Sequence, residues 1–263
     1  MYIVYNISVD EINKINYDVS DEKIDRNGII RDKVKEILLR QKIKNHYVFE
    51  SDEIIRTCFP NIRHPQVFIS HAHKDQLAVR KLKGFLENHF KLNCFVDSSA
   101  WFDINELIQM FMRDLNLPKA PNENILITNV VMMLTTSLTH MLDVCPIIIF
   151  VASNNSRTNT EQRNYSDITT QSPWIYHELS MLEKLPRKSP RLDNMMIKRA
   201  SENICFNYQV NPPQIRELTC RKLSLLESIK RKYSISSEDL FCYYSTYILS
   251  LSIMENSFSQ NNI

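Results

Sequence analysis

The sequence predicts an α/β protein built on a parallel sheet, and three observations carry that prediction. Short apolar runs alternate with longer segments of helical period from Gln66 onward. Each run, "QVFIS" (66–70), "LNCFVD" (92–97) and "PIIIFVAS" (146–153), ends on polar residues, as strands do when their ends line a cleft. Helical patterns separate the runs, and a helical crossover returns the chain parallel to the strand it left.

Taken in order, residues 1–64 read as an N-terminal helical extension. "IIRDKVKEILLRQ" places Ile30, Val34, Ile37 and Leu38 on one helical face, "HYVFESDEIIRTCF" adds a short second element, and His64-Pro65 breaks the chain. After strand 66–70, "KDQLAVRKLKGFLENHF" is helical with Leu77, Leu82, Phe85 and Leu86 inward. Strand 92–97 is followed by an insertion over about 100–129, with the amphipathic "INELIQMFMRDL" and a polar loop holding Pro118 and Pro121. "NVVMMLTTSLTHMLDVC" is helical, with Val131, Leu134, Leu138, Met141 and Leu142 on one stripe. Strand "PIIIFVAS", helix "SPWIYHELSMLEKL" and a last strand "ICFNYQV" (204–210) complete a domain over 65–210. Two further helical patterns make 211–263 a C-terminal helical extension, with a frayed end.

Composition narrows the function. Only two glycines occur, Gly28 and Gly84, so neither a G-x-G-x-x-G fingerprint nor a Walker loop can exist. A net charge of +2 with dispersed Lys and Arg gives no footprint for nucleic acid. The run "PIIIFVA" is too short to span a bilayer and the N-terminus lacks signal-peptide features, so no membrane and a cytoplasmic location are expected. The six cysteines (58, 94, 145, 205, 220, 242) contain no C-x-x-C pair. Cys94, Cys145 and Cys205 lie in or beside strand-like runs, as reduced, buried thiols do.

One residue breaks the pattern of its helix. In "SPWIYHEL" (172–179), Ser172 is suited to the N-cap and Pro173 to the first helical position. Glu178 then falls one turn after Trp174 and one before Leu182, on the apolar stripe, with no Lys or Arg three or four places away. The strand ends add Ser70, His71, His73, Asp75, Asp97, Ser98, Trp101, Ser153 and Asn154 to a cleft that needs no glycines. On pattern alone, Glu178 is as consistent with a solvated stripe edge as with catalysis, and Trp174 reads first as core packing. Asp97 could cap the next segment or orient a ligand, and Trp101 could belong to the insertion's own core. His71 and His73 form an H-x-H, but no further ligands stand at a recognisable spacing, so no metal is expected.

The ordered set "VFISHAHKD", "FVDSSAW", "MLDVC", "IIIFVAS" and "SPWIYHEL" resembles a Toll/interleukin-1 receptor (TIR) domain over roughly 65–210, and is similar to the bacterial TIR proteins of Thoeris anti-phage systems. The resemblance implies a flavodoxin-like parallel sheet with helices on both faces. It also implies cleavage of the nicotinamide–ribose bond of NAD, bound as substrate with no cofactor, with Glu178 catalytic. Ser70, His71, Asp97, Trp101, Asn154 and Trp174 would then contact substrate. Water attack would yield ADP-ribose; attack by the adenine end of the same molecule would yield a cyclic ADP-ribose isomer, a second messenger read by an effector protein. The family also implies TIR–TIR self-association. Ile175 stands where plant TIR domains often carry cysteine, and the segment after strand 92–97 lacks the short Pro/Gly-bearing loop of receptor TIR domains. Two other readings remain at this point: a non-enzymatic TIR adaptor, which needs no acid at 178, and a nucleoside deoxyribosyltransferase-like enzyme.

Overall fold

The computed structural model describes residues 3–18, 26–44, 48–117, 122–156, 173–185, 216–233 and 235–242. The expected strand 204–210, the N-cap Ser172, Cys205 and the loop prolines Pro118 and Pro121 lie outside them. The chain forms two compact units: residues 1–18, 66–94 and 145–263 in one, and 19–65 and 95–144 in the other.

The first unit holds the sheet. Its strands are β1 (Ile3–Ser8), β2 (Val67–Ser70), β3 (Cys94–Phe95), which ends at the unit boundary, β4 (Ile147–Ala152) and β5 (Arg216–Glu217). They run in the order β3-β2-β4-β1-β5, all parallel. The α/β class and the parallel sheet are those expected from the sequence. The N-terminal extension is a correction: instead of being helical throughout, it opens with β1, which sits between β4 and β5 with Ile3 opposite Ile147 and Ser8 opposite Ala152. The central position explains why Ile3, Val4, Tyr5 and Ile7 are buried, since a parallel strand flanked on both sides is covered on both faces.

Helices of this unit are α1 (Val9–Asn13) and, after a 3-10 turn at His73–Asp75, α4 (Gln76–Phe85), α8 (Pro173–Lys184), α9 (Cys220–Tyr233) and α10 (Ser237–Cys242). Ser8 caps α1, its hydroxyl accepting from the Glu11 N–H. Register places Phe150 and Tyr5 on opposite faces of the sheet. Phe150 and Ala152 pack on Ile175 of α8, whereas the Tyr5 hydroxyl donates to the Phe241 carbonyl of α10 at 2.6 Å. Helices therefore cover both faces. Leu77, expected inward, is 71% exposed; Ala78, Val79, Leu82 and Phe85 are the buried positions of α4. A π-turn, Leu86–Phe90, extends α4 and ends with Lys91 in the left-handed region at φ 58°. Lys230 of α9 closes that end by donating to the Phe90 carbonyl at 2.8 Å, a cation placed on orphan carbonyls.

Gly84 in α4 is required by a close approach. A Cβ there would lie 2.5 Å from Tyr17 Cε1 and 2.8 Å from its hydroxyl oxygen. The ring cannot simply swing away: it stands edge-on to Phe85 and His89 and its hydroxyl accepts from Asn88. Alanine would gain about 1 kcal/mol of helix propensity against an overpacking cost of about 1–3 kcal/mol. We therefore expect Gly84→Ala to lower stability in chemical denaturation, and the same substitution in a Tyr17→Ala background to raise it. The same sign in both backgrounds would refute the steric account.

The second unit is helical: α2 (Arg26–Lys44), α3 (Ser51–Cys58), α5 (Asp97–Ala100), α6 (Ile104–Asp114) and α7 (Asn122–Val144). Asp103 caps α6, accepting from the Glu106 N–H at 2.9 Å. Its core includes Val34, Ile37 and Leu38 of α2, Ile54 of α3, Leu107 and Phe111 of α6, and Leu138, Met141 and Leu142 of α7. By length and composition alone α7 is apolar enough to cross a membrane, though the same test is met by core helices. Its longest unbroken apolar run is the five residues 130–134, since Thr128, Thr136, Ser137 and Thr139 are among the polar residues that interrupt it. Those hydroxyls donate to carbonyls one turn back on the same helix.

The thiols of Cys58, Cys94, Cys145 and Cys242 are buried and those four cysteines and Cys220 are unpaired. Burial pushes Cys58 and Cys145 up to about 12, Cys242 up to about 11, and Cys94 higher still. At pH 8 a thiol at 12 is thiolate in roughly one molecule in ten thousand, against roughly a quarter for an ordinary cysteine. Iodoacetamide on native protein is expected to mark the half-buried Cys220 and to spare Cys58, Cys94, Cys145 and Cys242 until denaturant is added. Peptide mass mapping that found Cys58 or Cys145 alkylated within minutes would contradict this burial.

Candidate active site

The site is built on α8, whose buried stripe is Ile175, Glu178 and Leu182, with Trp174 and Leu179 half-buried beside it and Tyr176 64% exposed. Ile175 seats the helix on Phe150 and Ala152 of β4, with Leu179 and Ala72 packed against the same cluster. This apolar seat drives Glu178, one turn from Ile175, down against the sheet. Glu178 is 5% exposed, and the Ser70 hydroxyl donates a hydrogen bond to its Oε2. Ser70 is the last residue of β2 and is itself buried. The carboxylate thus lies at the carboxyl ends of parallel strands, where open α/β sheets bind ligands.

A buried carboxylate is expensive. Leucine in the same stripe would contribute to stability, whereas a carboxylate loses hydration that hydrogen bonds such as that from Ser70 restore only in part. What that cost provides is a negative charge fixed in a low-dielectric environment and aimed by Ser70, which can stabilise a positive charge developing in front of it.

A second buried carboxylate lies nearby in sequence to β2. Asp75, at the end of the 3-10 turn, is 7% exposed. Its Oδ2 accepts from Ser153 Oγ at 2.5 Å and its Oδ1 from Asn155 Nδ2 at 2.7 Å. Ser153 Oγ also accepts the N–H groups of Asn155 and Ser156, and Ser156 Oγ accepts the Ser153 N–H at 2.9 Å. The loop after β4 is therefore a hydrogen-bonded knot, with Asn154 exposed at its tip.

Ser70, His71, Asn154, Trp174 and Glu178 all belong to the sheet unit. The Ser70 hydroxyl donates to Glu178 and so orients the carboxylate, a role beyond the substrate contact expected of it. Asp97, first residue of α5, and Trp101 belong to the helical unit. Trp101 is a clear correction. It is 5% exposed, packed edge-to-face on Phe59 and Phe95 with centroids 5.7 and 4.9 Å away, and its Nε1 donates to the Pro60 carbonyl at 3.0 Å. Such an indole is a core residue. His73 Nδ1 lies 3.1 Å from Gln76 Nε2, and among the described residues no group of three or more His, Cys, Asp or Glu is placed to hold a metal. Asp75 and Ser153, expected only as polar residues at strand ends and given no role there, are the pair that the structure brings into contact.

Comparison with protein-family models, with characterised proteins and with solved structures returns no match to this chain.

Proposed function

We propose that the chain is a TIR-type enzyme that cleaves the nicotinamide–ribose bond of NAD and forms a cyclic ADP-ribose isomer as a second messenger in anti-phage defence. The observation that carries this reading is Glu178: a carboxylate buried in an apolar helix stripe, held by Ser70 at the carboxyl end of a parallel strand. The spatial order β3-β2-β4 also agrees with the second, first and third strands of a flavodoxin-like sheet, while β1 stands where that fold has its fourth.

Nicotinamide leaves NAD as a neutral base, so its departure needs no general acid. The ribose carbon becomes oxocarbenium-like, and Glu178 stabilises charge that exists mainly in that transition state. Trp174, half-buried one turn before Glu178, offers a flat face to the pyridinium ring. Attack by water ends in ADP-ribose; attack by the adenine end closes the cycle. Self-association and an effector that receives the product complete the proposal. The test is incubation of purified protein with NAD, following nicotinamide release and identifying the nucleotide product by mass spectrometry, with Glu178→Gln as the control. A wild-type protein that releases no nicotinamide, alone or with lysate of phage-infected cells, would instead favour the adaptor.

A further inference from the structure

Asp75 touches neither Ser70 nor Glu178 in the bonds described above, yet it closes a ring of contacts around them. Starting at Ser70, the chain passes through Ala72 to Asp75, whose N–H donates to the Ala72 carbonyl at 2.8 Å. Asp75 grips Ser153 and Asn155. Ser153 follows Ala152, which with Phe150 seats Ile175; Ala72 and Leu179 pack against that seat. Glu178, between Ile175 and Leu179, returns the ring to Ser70. The Ala72 and Ala152 segments, the two walls on which α8 rests, leave the β2–β4 ladder where Ser70 lies opposite Phe150, and the Asp75 carboxylate bridges the loops beyond the ladder's end.

Resting on the reading of Glu178 given above, we propose that Asp75 is a positioning residue for Glu178, setting the spacing of the two walls and thereby the placement of the carboxylate. The carboxylate is buried and its bonds are charge-assisted, with Ser153 half-buried and Asn155 at the surface, so the clasp is anchored from the Asp75 side. Asparagine replaces it only in part: its oxygen can accept from Ser153, but its N–H2 then faces Asn155 Nδ2, so Asn155 must turn its amide oxygen inward, and the bond from Ser153 is no longer charge-assisted.

The experiment compares wild type, Asp75→Asn and Ser153→Ala by hydrogen exchange and by NAD turnover well below their unfolding midpoints. Amides of 175–182 are expected to exchange about tenfold faster in Ser153→Ala, which removes the Asp75 bond together with the two N–H bonds onto Ser153 Oγ, and faster by a smaller factor in Asp75→Asn, which loses the charge, while those of β1 and α9 keep their rates. The kcat for nicotinamide release should fall about tenfold with KM within about threefold, because the charge is displaced and not the substrate. Combined with Ser70→Ala, the kcat losses should multiply to less than their product, as expected for members of one ring. Unchanged exchange in 175–182, or equal acceleration throughout the sheet unit, overturns the proposal; the second outcome would make Asp75 a purely structural clasp. Should Asp75→Asn fail to fold, Ser153→Ala decides alone, since it leaves the carboxylate bonded to Asn155. If wild type releases no nicotinamide, the NAD reading falls, while the exchange measurement still shows whether Asp75 seats α8.

Discussion

Glu178→Gln is expected to end nicotinamide release from NAD, with turnover at least about a thousandfold below wild type, and to leave the protein folded. Glutamine keeps the size and shape of the side chain and an oxygen for the Ser70 hydroxyl, while the charge is removed and the other oxygen becomes an N–H2 donor. A thousandfold loss corresponds to about 4 kcal/mol of transition-state stabilisation, the scale of a preorganised charge in a water-poor site. Stability should move the other way. Replacing a buried carboxylate by a neutral isostere removes a desolvation cost, so the thermal midpoint should stay level or rise. The combination is diagnostic. A solvated, non-functional glutamate would change neither quantity, and a structural one would lower stability and activity together. Turnover within about tenfold of wild type, the range of a substituted bystander, would remove Glu178 from the chemistry.

What the sequence disclosed, and what it withheld, divides along the range of the forces involved. Glu178 was visible because helical periodicity is local: a carboxylate one turn from Trp174 and from Leu182 must share their face. The buried runs 147–152 and 67–70 were visible for the same reason. β1 was not. Its residues alternate apolar and polar at their end, Asn6, Ile7, Ser8, and only pairing with Ile147–Ala152, far along the chain, makes the segment a central strand. Leu77 was misplaced because it stands five residues before Leu82, off the face that Ala78 and Val79 share with Leu82 and Phe85 at spacings of three and four. The Asp75–Ser153 clasp joins two loops that have no common period, so nothing in either loop announces the other. Ser70 was found because its place at a strand end is readable, but its hydrogen bond to Glu178 is not.

Trp101→Ala is the second large effect, and it separates two roles that one sequence position could have had. The indole lies against Phe59 and Phe95 and satisfies the Pro60 carbonyl, so its removal leaves a cavity among aromatic rings and an unpaired oxygen. Truncating a buried Trp costs about 3–5 kcal/mol, which for a chain of this size lowers the midpoint by roughly 10 °C. Trp101→Phe keeps most of the packing and loses one hydrogen bond to the half-buried Pro60 carbonyl, so its cost should be near the smaller penalty of about 0.5–1.5 kcal/mol for a single hydrogen bond. In both variants, the KM for NAD of the folded protein should match wild type, because the ring is enclosed in the helical unit's core. A ring that stacked on substrate would behave in the opposite way: KM would climb severalfold while the melting curve stayed in place. Calorimetry and initial rates on the same two variants therefore assign Trp101 either to the core or to the ligand.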